Sequence, residues 1–223
     1  MKNEPVKIKS IKHVTHDVLQ IATEKPNDTE FTPGQATEIF IDKKGWQNEG
    51  RPFTFTCLPK DDFLEFTIKT YPERKGVTNE LLSLKKNDSL IVNEIFGAIE
   101  YKGEGTFIAG GAGVTPFISI FRDLNEKHKL GANKLIFANK AKEDIILKDE
   151  FTEMLGDNFI NILSKEKTEE YAYGQISEDF IKKNGGPLSS YFYLCGPPPM
   201  MDAVEKQLTN LKVPADKIVK EEF

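Results

Sequence analysis

Several kinds of residue are scarce in this chain. Among 223 residues there are two cysteines, Cys57 and Cys195, and three histidines, His13, His16 and His128. Two thiolates are too few for a four-thiolate iron–sulfur or zinc centre. Nothing in the sequence pairs them in a disulfide, so reduced thiols of a cytoplasmic protein are expected. The histidines stand apart from every motif described below and read as surface residues, and no metal site is expected. Arginine is nearly absent. Of 30 basic residues only Arg51, Arg74 and Arg122 carry a guanidinium, so each can be weighed individually. No apolar run approaches the roughly 18–20 residues that span a bilayer. The first residues, Met1-Lys2-Asn3-Glu4-Pro5, lack the apolar core of a signal peptide, and no membrane association is expected. Excess positive charge is missing as well. A formal charge of −5 and a pI near 5.4 argue against nucleic acid as a partner.

What remains is ordinary globular material, 39% hydrophobic and 29% charged, enough for one large or two modest domains. There is no internal repeat and no low-complexity segment. Residues 6–11 and 18–22 alternate apolar and polar, and further strands are expected over 36–41, 52–58, 63–70 and 89–95. Turn residues separate them: Pro26-Asn27-Asp28, Pro33-Gly34, Lys43-Lys44-Gly45 and Asp61-Asp62. One short helix fits 78–84. Six strands and one helix suggest a small antiparallel barrel, which closes its edges on itself. From Gly105 the pattern changes to alternation. Strands over 106–109, 135–138, 159–163, 191–195 and 217–221 are separated by helices over 117–127, 148–155, 178–183 and 200–211. That order implies a parallel sheet covered on both faces. The expected architecture is therefore two-domain, β followed by α/β, divided into residues 1–100 and 101–223.

Four stretches carry chemistry beyond packing. Arg51-Pro52-Phe53-Thr54 offers a guanidinium for a phosphate, a flat ring and a hydroxyl; equally, it is an exposed Arg beside a core Phe. Gly76-Val77-Thr78 leads into a helix and is either a plain N-cap or a phosphate seat. Gly110-Gly111-Ala112-Gly113-Val114-Thr115-Pro116 joins a strand to a helix, where glycines permit close approach of a bulky anion. A tight strand-to-helix corner explains the same residues. Cys195-Gly196-Pro197-Pro198-Pro199-Met200 follows another strand of the same sheet, at the edge where ligands of such sheets bind. The dinucleotide fingerprint of the doubly wound fold does not fit. Pro116 occupies the third glycine position, and Asn139-Lys140 ends the second strand without the carboxylate that would hold a ribose.

These four motifs, in this order, resemble the ferredoxin–NADP reductase superfamily, and the resemblance covers essentially the whole chain. It implies a six-stranded flavin-binding barrel followed by a nicotinamide-binding domain, with FAD, or less commonly FMN, and NADPH or NADH as cofactors. Residue by residue, it assigns Arg51 to the flavin phosphate and Phe53 to the flavin ring, where a tyrosine is usual, with Pro52 between them counted among the cofactor-binding residues. Thr54 matches the hydroxyl near flavin N5. Lys69, Thr70 and Tyr71 match the strand beside the pyrimidine ring, and Gly76, Val77 and Thr78 the second phosphate seat. Gly111, Gly113 and Thr115 match the dinucleotide pyrophosphate turn. Cys195, Gly196 and Pro197 match the residues beside the nicotinamide. Glu221 and Phe223 match a terminal acid and aromatic near the flavin, Phe223 covering the ring until nicotinamide displaces it.

Ser164-Lys165 corresponds to the serine and basic residue that NADP-using relatives place against the 2′-phosphate, with Tyr171 or Tyr173 near the adenine. Phe137-Ala138-Asn139-Lys140 instead resembles the NADH-using cytochrome b5 reductase branch. The resemblance also implies a separate electron acceptor, a flavodoxin, a ferredoxin or an oxygenase component. Lys43, Lys44, Arg74 and Lys75 are the basic loop residues available to an acidic carrier. The same four read equally as solvated loop charges. A flavin-holding electron-transfer subunit without its own nicotinamide reaction is the alternative of another class, and the two glycine-bearing turns speak against it.

Overall fold

The structure, a computed structural model, describes residues 4–97 and 99–220. Glu221 and Phe223 lie outside the described residues. The first half folds as β1 (Glu4–Thr15), β2 (Val18–Glu24), β3 (Ala36–Ile41), β4 (Arg51–Thr54), β5 (Phe63–Lys69) and β6 (Ser89–Phe96), in the order β4-β3-β6-β1-β2-β5. Every pairing is antiparallel. The long β1 pairs with β6 through Glu4–Lys7 and with β2 from Ile8 onward, so one strand turns the corner between two halves of the sheet. The outer strands meet through a bridge between Phe55 and Phe66, and Thr56 N–H donates to Glu65 O at 2.8 Å. Closure removes the exposed edges that would invite association. The expected strand over 52–58 is thus two pieces, one facing β3 and one turned toward β5. Ile8, Ile21, Ile39, Leu64, Phe66, Leu90 and Val92 fill the interior. Helix α1 (Val77–Glu80) tightens into a 3₁₀ turn at Leu81–Ser83, and Val77 and Leu81 join the same core.

The second half alternates as expected: β7 (Gly105–Gly110), α2 (Thr115–Glu126), β8 (Lys134–Asn139), α3 (Lys148–Leu155), β9 (Phe159–Leu163), β10 (Ala172–Tyr173), α4 (Glu178–Asn184), β11 (Tyr191–Cys195), α5 (Pro198–Asn210) and β12 (Ile218–Lys220). The sheet is parallel throughout, in the order β10-β9-β8-β7-β11-β12. Only the two-residue β10 escaped the sequence pattern, being too short for any period. Strand periodicity sorts the two faces. Phe107, Ala109, Leu135, Phe137 and Tyr193 pack with Phe117, Phe121, Leu124 and Phe151 of α2 and α3. Ile108, Ile136, Phe192 and Leu194 pack with Ile181, Val204 and Leu208 of α4 and α5. All six residues of β7 are buried, as the centre of a doubly covered sheet requires. From β7 the chain winds to one side through β8, β9 and β10, then returns to the other through β11 and β12. The crevice between the ends of β7 and β11 is the topological switch point.

The two sheets meet along α2. Arg122 donates from one guanidinium nitrogen to Thr56 O (2.7 Å) and Glu65 (2.6 Å) of the barrel, and from another to Glu150 of α3 (2.8 Å). Burial opposes the positive charge, yet the bonds to Glu150 and the nearby Glu65 outweigh it and raise the guanidinium pKa. Gly34 N–H donates to Ser119 Oγ at 3.1 Å. Gly34 is left-handed (φ +99°), and a Cβ there would stand 2.1 Å from Ile99 O. Val18 and Ile99, outside the parallel sheet, bury themselves in the α2 face of its core. Arg122→Ala removes the shared partner of the largely buried Glu65 and the half-buried Glu150 carboxylates and should lower the unfolding free energy by about 2–3 kcal/mol. Urea titration reads this directly, and a change below about 0.5 kcal/mol would show that the guanidinium only decorates the seam.

Candidate functional site

A cleft of about 1220 Å³ runs between the barrel and the carboxyl edge of the parallel sheet. Its barrel wall comprises Pro52, Phe53 and Thr54 of β4, Thr67, Ile68 and Lys69 of β5, then Tyr71, Thr78, Phe96 and Gly97. The facing wall comprises the turn after β7, Thr115 and Pro116, the turn after β11, and Asn139, Lys140, Asp144 and Ser164 from the ends of β8 and β9. Three of the four sequence motifs therefore contribute their central residues to one cavity, and the Gly76 motif contributes Thr78.

The glycines of the facing wall do different things. Gly111 is left-handed (φ +52°), and a Cβ built on it meets nothing within 4 Å, so it gives the turn its path and leaves its surface open to the cleft. A Cβ on Gly113 would stand 2.3 Å from Cys195 O, and one on Gly196 would stand 3.0 Å from Gly110 N. The two turns thus interlock backbone to backbone across the switch point. A 3₁₀ turn over Gly111–Val114 runs into α2, which starts without a side-chain cap and with Pro116 in its first turn. Helix α5 starts with Pro198 and Pro199, which carry no N–H. Backbone donors for an anion therefore come from the β7–α2 turn, while the β11–α5 turn supplies shape.

The other predicted residues fall into two groups. Pro52, Phe53, Thr54, Lys69, Tyr71, Thr78, Gly111, Gly113, Thr115, Ser164, Cys195, Gly196 and Pro197 line the cleft. Arg51, Thr70, Gly76, Val77 and Lys165 do not. Arg51 is exposed at the barrel edge, bonded to Gly50 O at 2.6 Å. Thr70 is buried, its hydroxyl donating to Asp17 O at 2.9 Å. Gly76 precedes α1, and the Val77 side chain packs in the barrel core, so those two have only backbone to offer a ligand. Lys165 is exposed, its N–H bonded to Lys140 O at 2.9 Å. Lys69 pairs with Asp17 at 2.6 Å.

Some lining residues were not anticipated. Phe96 is 46% exposed, a large ring presented to the cleft at the end of β6. No motif marks it, and a terminal strand residue gives no periodic cue. Asn139, noted in the sequence only for not being an acid, is 7% exposed with neither amide atom hydrogen-bonded. The Oε1 of Gln207, on α5, is likewise buried without a partner. Buried polar atoms without partners are costly, and at a ligand cleft they mark where bonds are completed on binding. Flat apolar faces at Phe53, Tyr71 and Phe96, hydroxyls at Thr54 and Thr78, and an open glycine turn fit a flavin and a dinucleotide.

Two of the groups with shifted acidities, Cys57 and Glu170, do not line the cleft. Burial pushes the Cys57 thiol up to about 12, which leaves it an inert core residue. Lys142, the Tyr171 hydroxyl and Lys148 hold the Glu170 carboxyl down to about 2, tying the loop after β9 to the start of α3.

Comparison with known proteins agrees with this geometry. A family described as an FAD-binding domain matches residues 3–124, more than half of the chain, and an oxidoreductase NAD-binding domain matches residues 107–206. The NADH-cytochrome b5 reductase 2 of Mycosarcoma maydis is 28% identical, over 88% of this chain and 62% of that protein. The reductase component of propane 2-monooxygenase from Mycolicibacterium smegmatis is 26% identical, over 97% of this chain and 66% of that protein. The chain thus spans slightly under two thirds of the length of these curated relatives. Among solved structures, the FAD/NAD-binding domain of a Vibrio cholerae nitric oxide dioxygenase superposes with a TM-score of 0.88 at 20% identity, covering 100% of this chain and 99% of that one. A Neisseria gonorrhoeae ferredoxin NADP+ reductase with bound FAD and NADP gives 0.84 at 20% identity, covering 99% and 98%. At such identities the structures show the shared fold.

The interlocked turns give a paired test. Gly113→Ala drives a methyl into the Cys195 carbonyl and should destabilise the protein by about 2–3 kcal/mol in urea titration. Gly111→Ala has room for its methyl and carries only the left-handed penalty of about 1 kcal/mol. Equal losses at the two positions would contradict the interlock.

Proposed function

Because the chain belongs to the FAD-binding-domain family of ferredoxin reductase-like oxidoreductases, we propose that it oxidises NADPH, reduces its own FAD and passes the electrons to a separate protein carrier. The observation that carries this reading is the single cleft onto which the barrel motif and both turns of the parallel sheet open. We assign residues 1–100 to flavin binding and 101–223 to nicotinamide binding. FAD, when bound, accepts a hydride with its two electrons and releases those electrons one at a time.

The work of the chain is to bind, orient and exclude water. Phe53, Tyr71 and Phe96 would pack on flat rings and keep solvent from them. The Thr54 hydroxyl would donate to the reacting edge of the flavin. Arg51, with the backbone at Gly76, Val77 and Thr78, would hold the flavin phosphates. Lys69 and Thr70 would keep β5 beside the ring system, Thr70 through its bond to Asp17. The N–H groups over Gly111 to Gly113, with Thr115, would hold the dinucleotide pyrophosphate, and Cys195, Gly196 and Pro197 would seat the nicotinamide. Hydride transfer requires no side-chain base, and no histidine lines the cleft among the described residues.

NADPH is favoured by the edge of the cleft after β8 and β9. Lys140 and Ser164 line it, Lys165 stands beside Ser164, and no carboxylate occupies the position after β9. A flavodoxin, a ferredoxin or an oxygenase component would receive the electrons. Supporting an acidic carrier are Lys44 and Lys75, exposed on barrel loops. Lys43 is paired with Glu80, and Arg74 lies 4.7 Å over the Tyr71 ring.

The purified protein should show a flavin absorption spectrum, and under anaerobic conditions NADPH should bleach it faster than NADH. A protein that takes up no flavin would sink the assignment. Ser164→Asp should reverse the donor preference by at least about tenfold, through repulsion of the 2′-phosphate. Thr54→Ala should slow flavin reduction by about tenfold or more while flavin stays bound. An unchanged stopped-flow rate would remove Thr54 from this role.

A further inference from the structure

The tight turn between β1 and β2 reaches across to the other domain, where His16 faces Asp144. The imidazole Nε2 lies 3.6 Å from Asp17 Oδ2 and 3.8 Å from Asp144 Oδ1. The three ligand atoms all fall within 4.8 Å of one another, and among the described residues this is the one such group of His, Cys, Asp or Glu side chains. Nothing in the proposed redox reaction uses it. We propose that His16, Asp17 and Asp144 form a binding site for a divalent transition-metal ion of the zinc class, which clasps the barrel to the nicotinamide domain at the rim of the cleft.

The geometry is close to what such an ion needs. With bonds of about 2.1 Å and tetrahedral angles, neighbouring ligand atoms stand about 3.4 Å apart. The two distances from the imidazole, 3.6 and 3.8 Å, lie close to this, and the two carboxylate oxygens stand within 4.8 Å of each other and would close up on binding. Both carboxylates are already oriented through their other oxygen. Asp17 Oδ1 accepts from the Thr15 hydroxyl at 3.2 Å, and Asp144 Oδ2 accepts from Ala141 N–H at 2.9 Å. That leaves Asp144 Oδ1 turned to the imidazole and Asp17 Oδ2 shared between the imidazole and Lys69, with the outer support that fixes ligands at metal sites. One imidazole and two carboxylates suit zinc and its neighbours better than calcium or magnesium, which favour all-oxygen sets. His16 is half exposed, so water has access to complete the coordination. Lys69 Nζ, 2.6 Å from Asp17 Oδ2, is the built-in competitor that the ion must displace.

The test is calorimetric titration of the chelator-treated protein, with and without added FAD, with zinc chloride, paired with thermal melting. Neither readout depends on turnover, so failure here leaves the proposed function standing, and failure of the redox assignment leaves this site standing. One zinc per chain and a raised Tm are expected. His16→Ala, on an exposed turn, should weaken binding by about 10–100-fold and abolish the rise in Tm; Asp144→Asn, which keeps an acceptor for Ala141, should do the same. His13→Ala should change neither. Lys69→Met should tighten binding by removing the competing cation. Absence of saturable binding, or binding that survives His16→Ala, would overturn the proposal.

Discussion

The site exists only because two sheets are held at a fixed separation, and α2 is the element that holds them. Arg122 is the sharpest point of that contact. One planar cation satisfies a barrel carbonyl and two carboxylates, one from each domain, in a partly dry seam. A lysine there would bring one point charge where the fork reaches in three directions. Around it the attachment is apolar and close, with Ile99 and Val18 joining the α2 face and Gly34 donating to Ser119. The fold therefore treats the domain boundary as core. A cleft whose walls come from different domains can then present two ligands to each other without a hinge to set their distance.

The sheet topology explains why the second wall lies where it does. Winding outward from β7 in both directions opens a crevice between the ends of β7 and β11, and each strand end there is followed by a glycine-bearing turn. The turns meet backbone to backbone at Gly113 against the Cys195 carbonyl and at Gly196 against Gly110, and at Gly113 no side chain could enter. Their division of labour follows from proline placement. The β7–α2 turn keeps its N–H groups and can face an anion. The β11–α5 turn runs into three prolines in succession, Pro197, Pro198 and Pro199, so it lends a rigid contour. A glycine count alone would have treated the two as equivalent.

Much of this was legible in the sequence because it depends on local period. Strands and helices of the parallel half fall within a residue or two of expectation, since each is apolar on a face that one core or the other buries. The barrel strands were legible for the same reason. What escaped depends on tertiary placement. The β10 strand has two residues and no period. The break of the 52–58 strand arises because the chain there leaves β3 to meet β5. Phe96 and Asn139 gain their significance from what surrounds them, an open cleft for one and a lack of partners for the other. Arg122, noticed as one of only three arginines, had no motif to attach it to, because its partners are 57 and 66 residues earlier and 28 later in the chain.

The chemistry of the site is also constrained by the makeup of its walls. Cys57, whose thiol burial pushes up, lies in the barrel core, and the depressed Glu170 is clamped on the surface. The charged groups that line the cleft among the described residues are Lys69, Lys140 and Asp144, suited to steering and holding charged ends of ligands. Much of the rest is rings, hydroxyls and glycine backbone, surfaces that position flat apolar groups and keep water out. Such a wall does little to make or break bonds by itself. It is the environment that the proposed reaction between two bound cofactors requires, with specificity residing in the geometry that brings them together.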